Sequence, residues 1–201
     1  SIKAKSKWEK ERKNKLGMSG LILCYSDIGQ IYMKMGLIDK SMEFFENGLN
    51  LLDESDELFV AFFKIHYHLS EVYLELNFIS KAFEMINKCI DRIESYEFND
   101  MNRKLIYLTP SMIVLGNLYS IDNTILAIEY YNKALKMCES FEDIIYKQKI
   151  LYKLGIEYYN LNDLNRSLDF LLKAEVLNEE LKGDIRFINI KLGLYDVYIA
   201  L

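Results

Sequence analysis

Lys149 and Lys153 stand four residues apart, which sets two ammonium groups on one face of a helix and equips them to hold a carboxylate. Asn117 carries a donor and an acceptor in one amide, the combination that grips an extended peptide backbone. His66 and His68 are two apart and leave a helix on different faces, so they cannot form the i, i+4 pair of a helical zinc site. His66 fits a core position. Cys24, Cys89 and Cys138 are odd in number, far apart and set within apolar helical patterns, which marks them as small core residues of a reducing compartment. There is no Gly-rich phosphate loop, no G-x-S-x-G, and no His ordered with a Ser or Cys as in a triad. No enzymatic activity, metal or cofactor is expected, and the remaining chemistry is recognition.

The elements that must carry these groups are helices. The chain has 201 residues, 51% apolar and 27% charged, enough for an extensive core. One Pro and nine Gly are too few for the turns of a many-stranded sandwich or barrel. The net charge of -5 is uneven: residues 1–20 sum to +5 and the rest to -10. An acidic body of that size repels phosphate backbones, which argues against nucleic-acid binding by it. No apolar run approaches a membrane span, and the N-terminus lacks the apolar block of a signal peptide, so a cytoplasmic location is expected. The chain opens on Ser, not Met, and is read as a piece of a longer protein.

One phrase recurs along the chain: Ile28-Gly29-x-x-Tyr32, Leu69-Ser70-x-x-Tyr73, Leu115-Gly116-x-x-Tyr119 and Leu154-Gly155-x-x-Tyr158, with a weaker copy at Leu194-Tyr195-x-x-Tyr198. The Tyr spacings are 41, 46, 39 and 40. Each full copy is followed by a small residue, a large apolar one four later, and a small one three after that. The trios are Ser41, Phe45, Gly48; Ala82, Ile86, Cys89; Ala127, Tyr131, Ala134; and Ser167, Leu171, Ala174. Small residues let two helix backbones approach while Tyr and Phe fill the space beside them. Gly36, Asn77, Asp122-Asn123 and Asn162-Asp163 fall in the tight turns, the third of which is one residue shorter than the others. Acidic Asp53 to Asp56 closes the first unit.

This pattern resembles the tetratricopeptide (TPR) repeat, in which L-G-x-x-Y followed by A-x-x-x-F marks a pair of antiparallel helices. The resemblance implies an all-α, right-handed superhelical solenoid over residues 21–201, with repeats at about 22–55, 57–95, 101–140 and 142–180 and a partial one at 184–201. Gly29, Tyr32, Tyr73, Gly116, Tyr119, Gly155 and Tyr158 are its structural positions. Residues 1–20, around Trp8, form a basic helical extension or linker, with the alternatives of a contact to an anionic partner or a cap on the first repeat. The sequence departs from the 34-residue pattern: Tyr25, His66, Met112 and Leu151 replace its Trp, and its Pro is missing. The extra residues precede each first helix, so first helices of about 20 residues are expected, with a kink or break at Thr109-Pro110. Repeats of this length resemble those of bacterial peptide-responsive regulators and of TPR sensor segments joined to signalling domains.

In the family, the first helix of each pair lines a concave face that holds a peptide or protein segment. The corresponding residues here are Gln30; Lys64, Tyr67, His68 and Glu71; Asn117; Lys149, Tyr152, Lys153 and Tyr159; and Asn189 and Asp196. The lysines also fit solvated helix surface, and the tyrosines fit packing between repeats. Lys149 and Lys153 resemble half of the carboxylate clamp of chaperone-binding TPR domains, while Ile113 and Val114 stand where its other polar groups would be. The function implied is a non-catalytic binding module, the sensory or regulatory part of a larger bacterial signalling or transcription-regulating protein. The alternative is an assembly module that homodimerises through the last helix, Ile185 to Leu201, whose Ile188, Leu192, Tyr195 and Ile199 have no following helix to cover them.

Overall fold

The computed structural model describes the backbone of residues 2–52, 58–141, 143–180 and 188–200, with side chains over the same stretches other than 2–13, 15, 141 and 188. The described residues form helices and turns, with no strand among them. The chain divides into two compact units, Ser1–Glu97 and Phe98–Leu201. The first holds α1 (Ile2–Lys34), α2 (Ile38–Leu49), α3 (Phe59–Glu75) and α4 (Ile79–Ser95). The second holds α5 (Met101–Tyr119), α6 (Thr124–Phe141), α7 (Ile144–Asn160), α8 (Leu164–Glu180) and α9 (Ile188–Ala200). Helices pair in sequence order, α1 with α2, α3 with α4, α5 with α6 and α7 with α8. Within the first unit α3 packs on α1 and α2; within the second α7 packs on α6 and α5, and α9 on α8 and α7. This is an all-α repeat fold.

The recurring small residues are what close each pair. A Cβ added at Gly29 would lie 2.6 Å from the Phe45 ring, one at Gly116 would lie 2.6 Å from Tyr131 Cδ1, and one at Gly155 would lie 2.6 Å from Leu171 Cγ. In all three the obstacle is the large residue four after the small residue of the second helix. The same device joins neighbouring repeats, because a Cβ on Gly48 would strike Ile65 of α3. Beside this contact the motif Tyr stacks on an aromatic ring of the second helix: Tyr32 on Phe44, Tyr119 on Tyr130 and Tyr158 on Phe170, with centroids 5.2–5.3 Å apart. The partner is three residues after the small one, a position that the motif alone did not single out.

Turn chemistry follows from the residue four after each Tyr. Gly36, Asn77 and Asn162 sit at φ 73°, 60° and 59°, the left-handed region that Gly and Asn tolerate. The next N–H then reaches back to the Tyr carbonyl, Leu37 to Tyr32 at 2.9 Å, Phe78 to Tyr73 at 2.7 Å and Asp163 to Tyr158 at 2.9 Å. In the shorter third turn Asn123 itself donates to the Tyr119 carbonyl at 2.7 Å, and its Oδ1 accepts from the Leu126 N–H at 3.1 Å.

Several expectations need correction. First helices α3, α5 and α7 have 17, 19 and 17 residues and second helices α4, α6 and α8 have 17, 18 and 17, so the extra length is shared by both members of a pair. Helix α1 is the exception, a single 33-residue helix that takes in the basic extension. Pro110 does not break α5. Every residue from Leu108 to Gly116 is buried, and that packing offsets the roughly 3 kcal/mol a helical Pro costs. The carbonyl deprived of its donor belongs to Ile106, an exposed residue, and water is available to it. Cys24 is exposed, whereas Cys89 and Cys138 are core, where burial pushes the Cys138 thiol up to about 12. The acidic segment 53–57, the side chain of Trp8 and residues 181–187, including the expected start of the last helix, lie outside the described residues.

Candidate functional site

In the first unit the five candidates Gln30, Lys64, Tyr67, His68 and Glu71 come together between α1 and α3. Glu71 is the hub: its Oε1 accepts from the Tyr67 hydroxyl at 2.9 Å and its Oε2 lies 3.2 Å from His68 Nδ1. Gln30 Nε2 is 3.4 Å from His68 Nε2. An amide NH₂ only donates, so His68 Nε2 accepts and the proton sits on Nδ1, facing Glu71. Lys64 Nζ pairs with Asp27 Oδ1 at 3.0 Å across the same two helices. His68 is buried and stacks on Phe45 at 5.4 Å, so it holds this network from beneath. His66 is core, as expected. Its Nδ1 lies 3.0 Å from the Phe62 carbonyl, and burial holds its imidazole below the usual range.

The second unit treats its candidates differently. Asn117 Oδ1 accepts from the hydroxyl of Tyr131 at 2.8 Å, so half of the amide is committed to a fully buried ring and the NH₂ is the half left to face outward chemistry. Burial, then the nearby Glu157 carboxylate, raises the Tyr131 phenol far above its usual range. Lys149 and Lys153 lie on α7, half-buried. Lys153 makes no ion pair among the described residues, and its ammonium is pushed below the usual range by burial first and by Lys149 second, against a smaller opposing effect of Glu157. Tyr152 is likewise shifted upward, by burial and then by Asp196 of α9, which brings those two candidates together. Tyr159 and Asn189 are exposed and make no hydrogen bond or ion pair among the described residues.

Sequence reasoning missed Glu157. It is buried, with Oε1 accepting from the Ser120 hydroxyl at 2.5 Å and Oε2 left without a partner. Its spacing of three from Leu154 on an apolar stripe was the available signal, but its partner lies 37 residues away in the preceding repeat. Among the described residues no group of three His, Cys, Asp or Glu could hold a metal ion, and no helix is long and apolar enough to cross a membrane.

The comparisons agree with this architecture. A family model for the tetratricopeptide repeat matches residues 23–51. The regulatory protein RapK of Bacillus subtilis (strain 168) is 25% identical over 150 residues, which cover 73% of this chain and 38% of RapK. Among solved structures, BtubC (BKLC) of P. vanneervenii superposes with a TM-score of 0.62 at 21% identity, over 82% of this chain and 65% of that one. Kinesin-light-chain TPR-like repeats of P. anserina reach 0.63 at 12% identity, over 91% of this chain and 87% of that one. The chain is a tetratricopeptide-repeat protein. It spans well under half of the curated relative and just under two thirds of BtubC.

Proposed function

We propose that the chain is a non-catalytic module that binds a peptide or protein segment on the first helices of its repeats, as the sensory or regulatory part of a larger bacterial signalling or transcription-regulating protein. The reading rests on Lys153: a half-buried ammonium with no ion pair among the described residues, one turn from Lys149, is costly to the fold and useful to an acidic or C-terminal group of a ligand. The NH₂ of Asn117 and the Tyr152 ring supply the backbone donor and the apolar surface on the same unit. The relative's printed description, a regulatory protein, agrees with this role. A peptide selected by display against the full chain tests it. Titration calorimetry should show the Asn117→Ala, Lys149→Ala double variant binding that peptide about tenfold or more weakly. Unchanged affinity would mean that the ligand sits elsewhere.

A second reading, homodimerisation through the last helix, is favoured by the exposure of Leu192, Tyr195, Tyr198 and Ile199 on α9, each more than half accessible. Light scattering separates the two, since a mass that stays monomeric at high concentration removes the dimer.

A further inference from the structure

Repeat 2 differs from the other repeats at two positions that packing alone would leave apolar. Four residues before the small motif residue stand Tyr25, His66, Met112 and Leu151; ten after the small residue of the second helix stand Leu51, Arg92, Met137 and Leu177. At both positions repeat 2 is basic. The structure brings the two into one groove of about 600 Å³, floored by Leu49, Leu52 and Phe62 and bordered by His66, Lys88 and Arg92.

The second unit has the corresponding groove, about 390 Å³, where Leu135, Leu151, Lys173 and Leu177 take the places of Leu49, His66, Lys88 and Arg92. The groove is therefore a product of the repeat, and its basic character in repeat 2 is not. Leucine serves packing equally well at both positions, so the cost of lining a concave surface with Arg92 and His66 calls for another use.

The fittings around the groove define what it can take. Arg92 lies with its guanidinium 5.9 Å from the Tyr96 ring, and its Nε is buried. Lys88 reaches Glu84 at 2.7 Å, and Asp91 shares the lining. These two carboxylates limit the positive charge to what one anionic group neutralises, which disfavours polyphosphates. His66 uses Nδ1–H on the Phe62 carbonyl, leaving Nε2 for a ligand. The volume is that of a small-molecule site.

We infer that this groove binds a small amphipathic organic anion, its single phosphate or carboxylate held by Arg92 and Lys88 and its apolar body lying on Leu49, Leu52 and Phe62. The site is distinct from the peptide-binding faces proposed above and does not depend on them.

Calorimetric or NMR titration of the full chain with phenyl phosphate, benzoate, inorganic phosphate and phenol tests it, the first two separating the two kinds of head group. Saturable binding of at least one aromatic anion is expected, tighter than that of either inorganic phosphate or phenol. In Arg92→Leu that affinity should fall about tenfold, with the thermal midpoint kept or raised, because leucine already occupies the matching position of the second unit. No saturable binding of either aromatic anion, or equal binding by Arg92→Leu, overturns the proposal. Should Arg92→Leu fail to fold, the exposed change Lys88→Gln decides: a loss of several-fold supports the site, and no loss overturns it.

Discussion

Gly116→Ala destabilises the chain by about 2 kcal/mol, whereas Gly20→Ala stabilises it by about 0.5–1 kcal/mol, although both glycines lie inside helices. The added methyl is the same, and so is the helix-propensity gain. Space decides the sign. Nothing lies within 4 Å of a Cβ at Gly20, so only the propensity gain remains. At Gly116 the methyl would meet Tyr131 Cδ1 at 2.6 Å and Cζ at 2.8 Å. That ring has no accessible surface, and its hydroxyl is tied to Asn117 at 2.8 Å, so it can neither swing out nor slide along α5 without breaking a buried hydrogen bond. Urea or thermal unfolding of the two variants beside the parent chain measures the difference. Equal tolerance at the two sites would mean that the small residues are not the close contact between paired helices, and the repeat reading would lose its physical basis.

That contact was the most legible part of the sequence. Gly29, Gly116 and Gly155 point to Phe45, Tyr131 and Leu171 because the spacing of small and large residues is set by two helices crossing at one point, which the chain must encode locally. Turn residues were legible for the same reason: a left-handed backbone admits few residue types, and Asn77 and Asn162 are among them. What was not legible depends on partners in another repeat. Glu157 looks like an ordinary helix-surface acid until Ser120 is set against it, and His68 looks like a groove residue until Phe45 and Gln30 enclose it. Asn117 was read as wholly available, yet the residue that takes its oxygen is also the large packing residue of its own pair, a double duty that no spacing rule expresses. Pro110 was misjudged because a propensity argument weighs one residue, while the helix is held by the burial of the nine residues from Leu108 to Gly116.

Lys153→Met raises the unfolding midpoint and at the same time weakens peptide binding about tenfold or more. Methionine keeps the unbranched stem that packs along α7 and removes the charge. The stability gain follows from the order of the effects on Lys153. Burial and Lys149 both work against the ammonium, and the favourable pull of Glu157 is the smallest of the three. The charged form is therefore less at ease in the fold than in water, and a neutral side chain of similar shape removes that penalty. The pH dependence has a definite sign. With the folded value depressed below 10.5, the unfolded chain holds more protons between the two values, so the parent chain gains stability as pH rises through that interval and the advantage of Lys153→Met shrinks. Binding should move the opposite way, weakening in the parent as Lys153 loses its proton. Thermal melts of parent and variant between neutral pH and pH 10, with calorimetry on the selected peptide, read both effects. A variant less stable than the parent would show that Lys153 is already satisfied within the fold, which removes the reason to expect a ligand to supply its counter-charge.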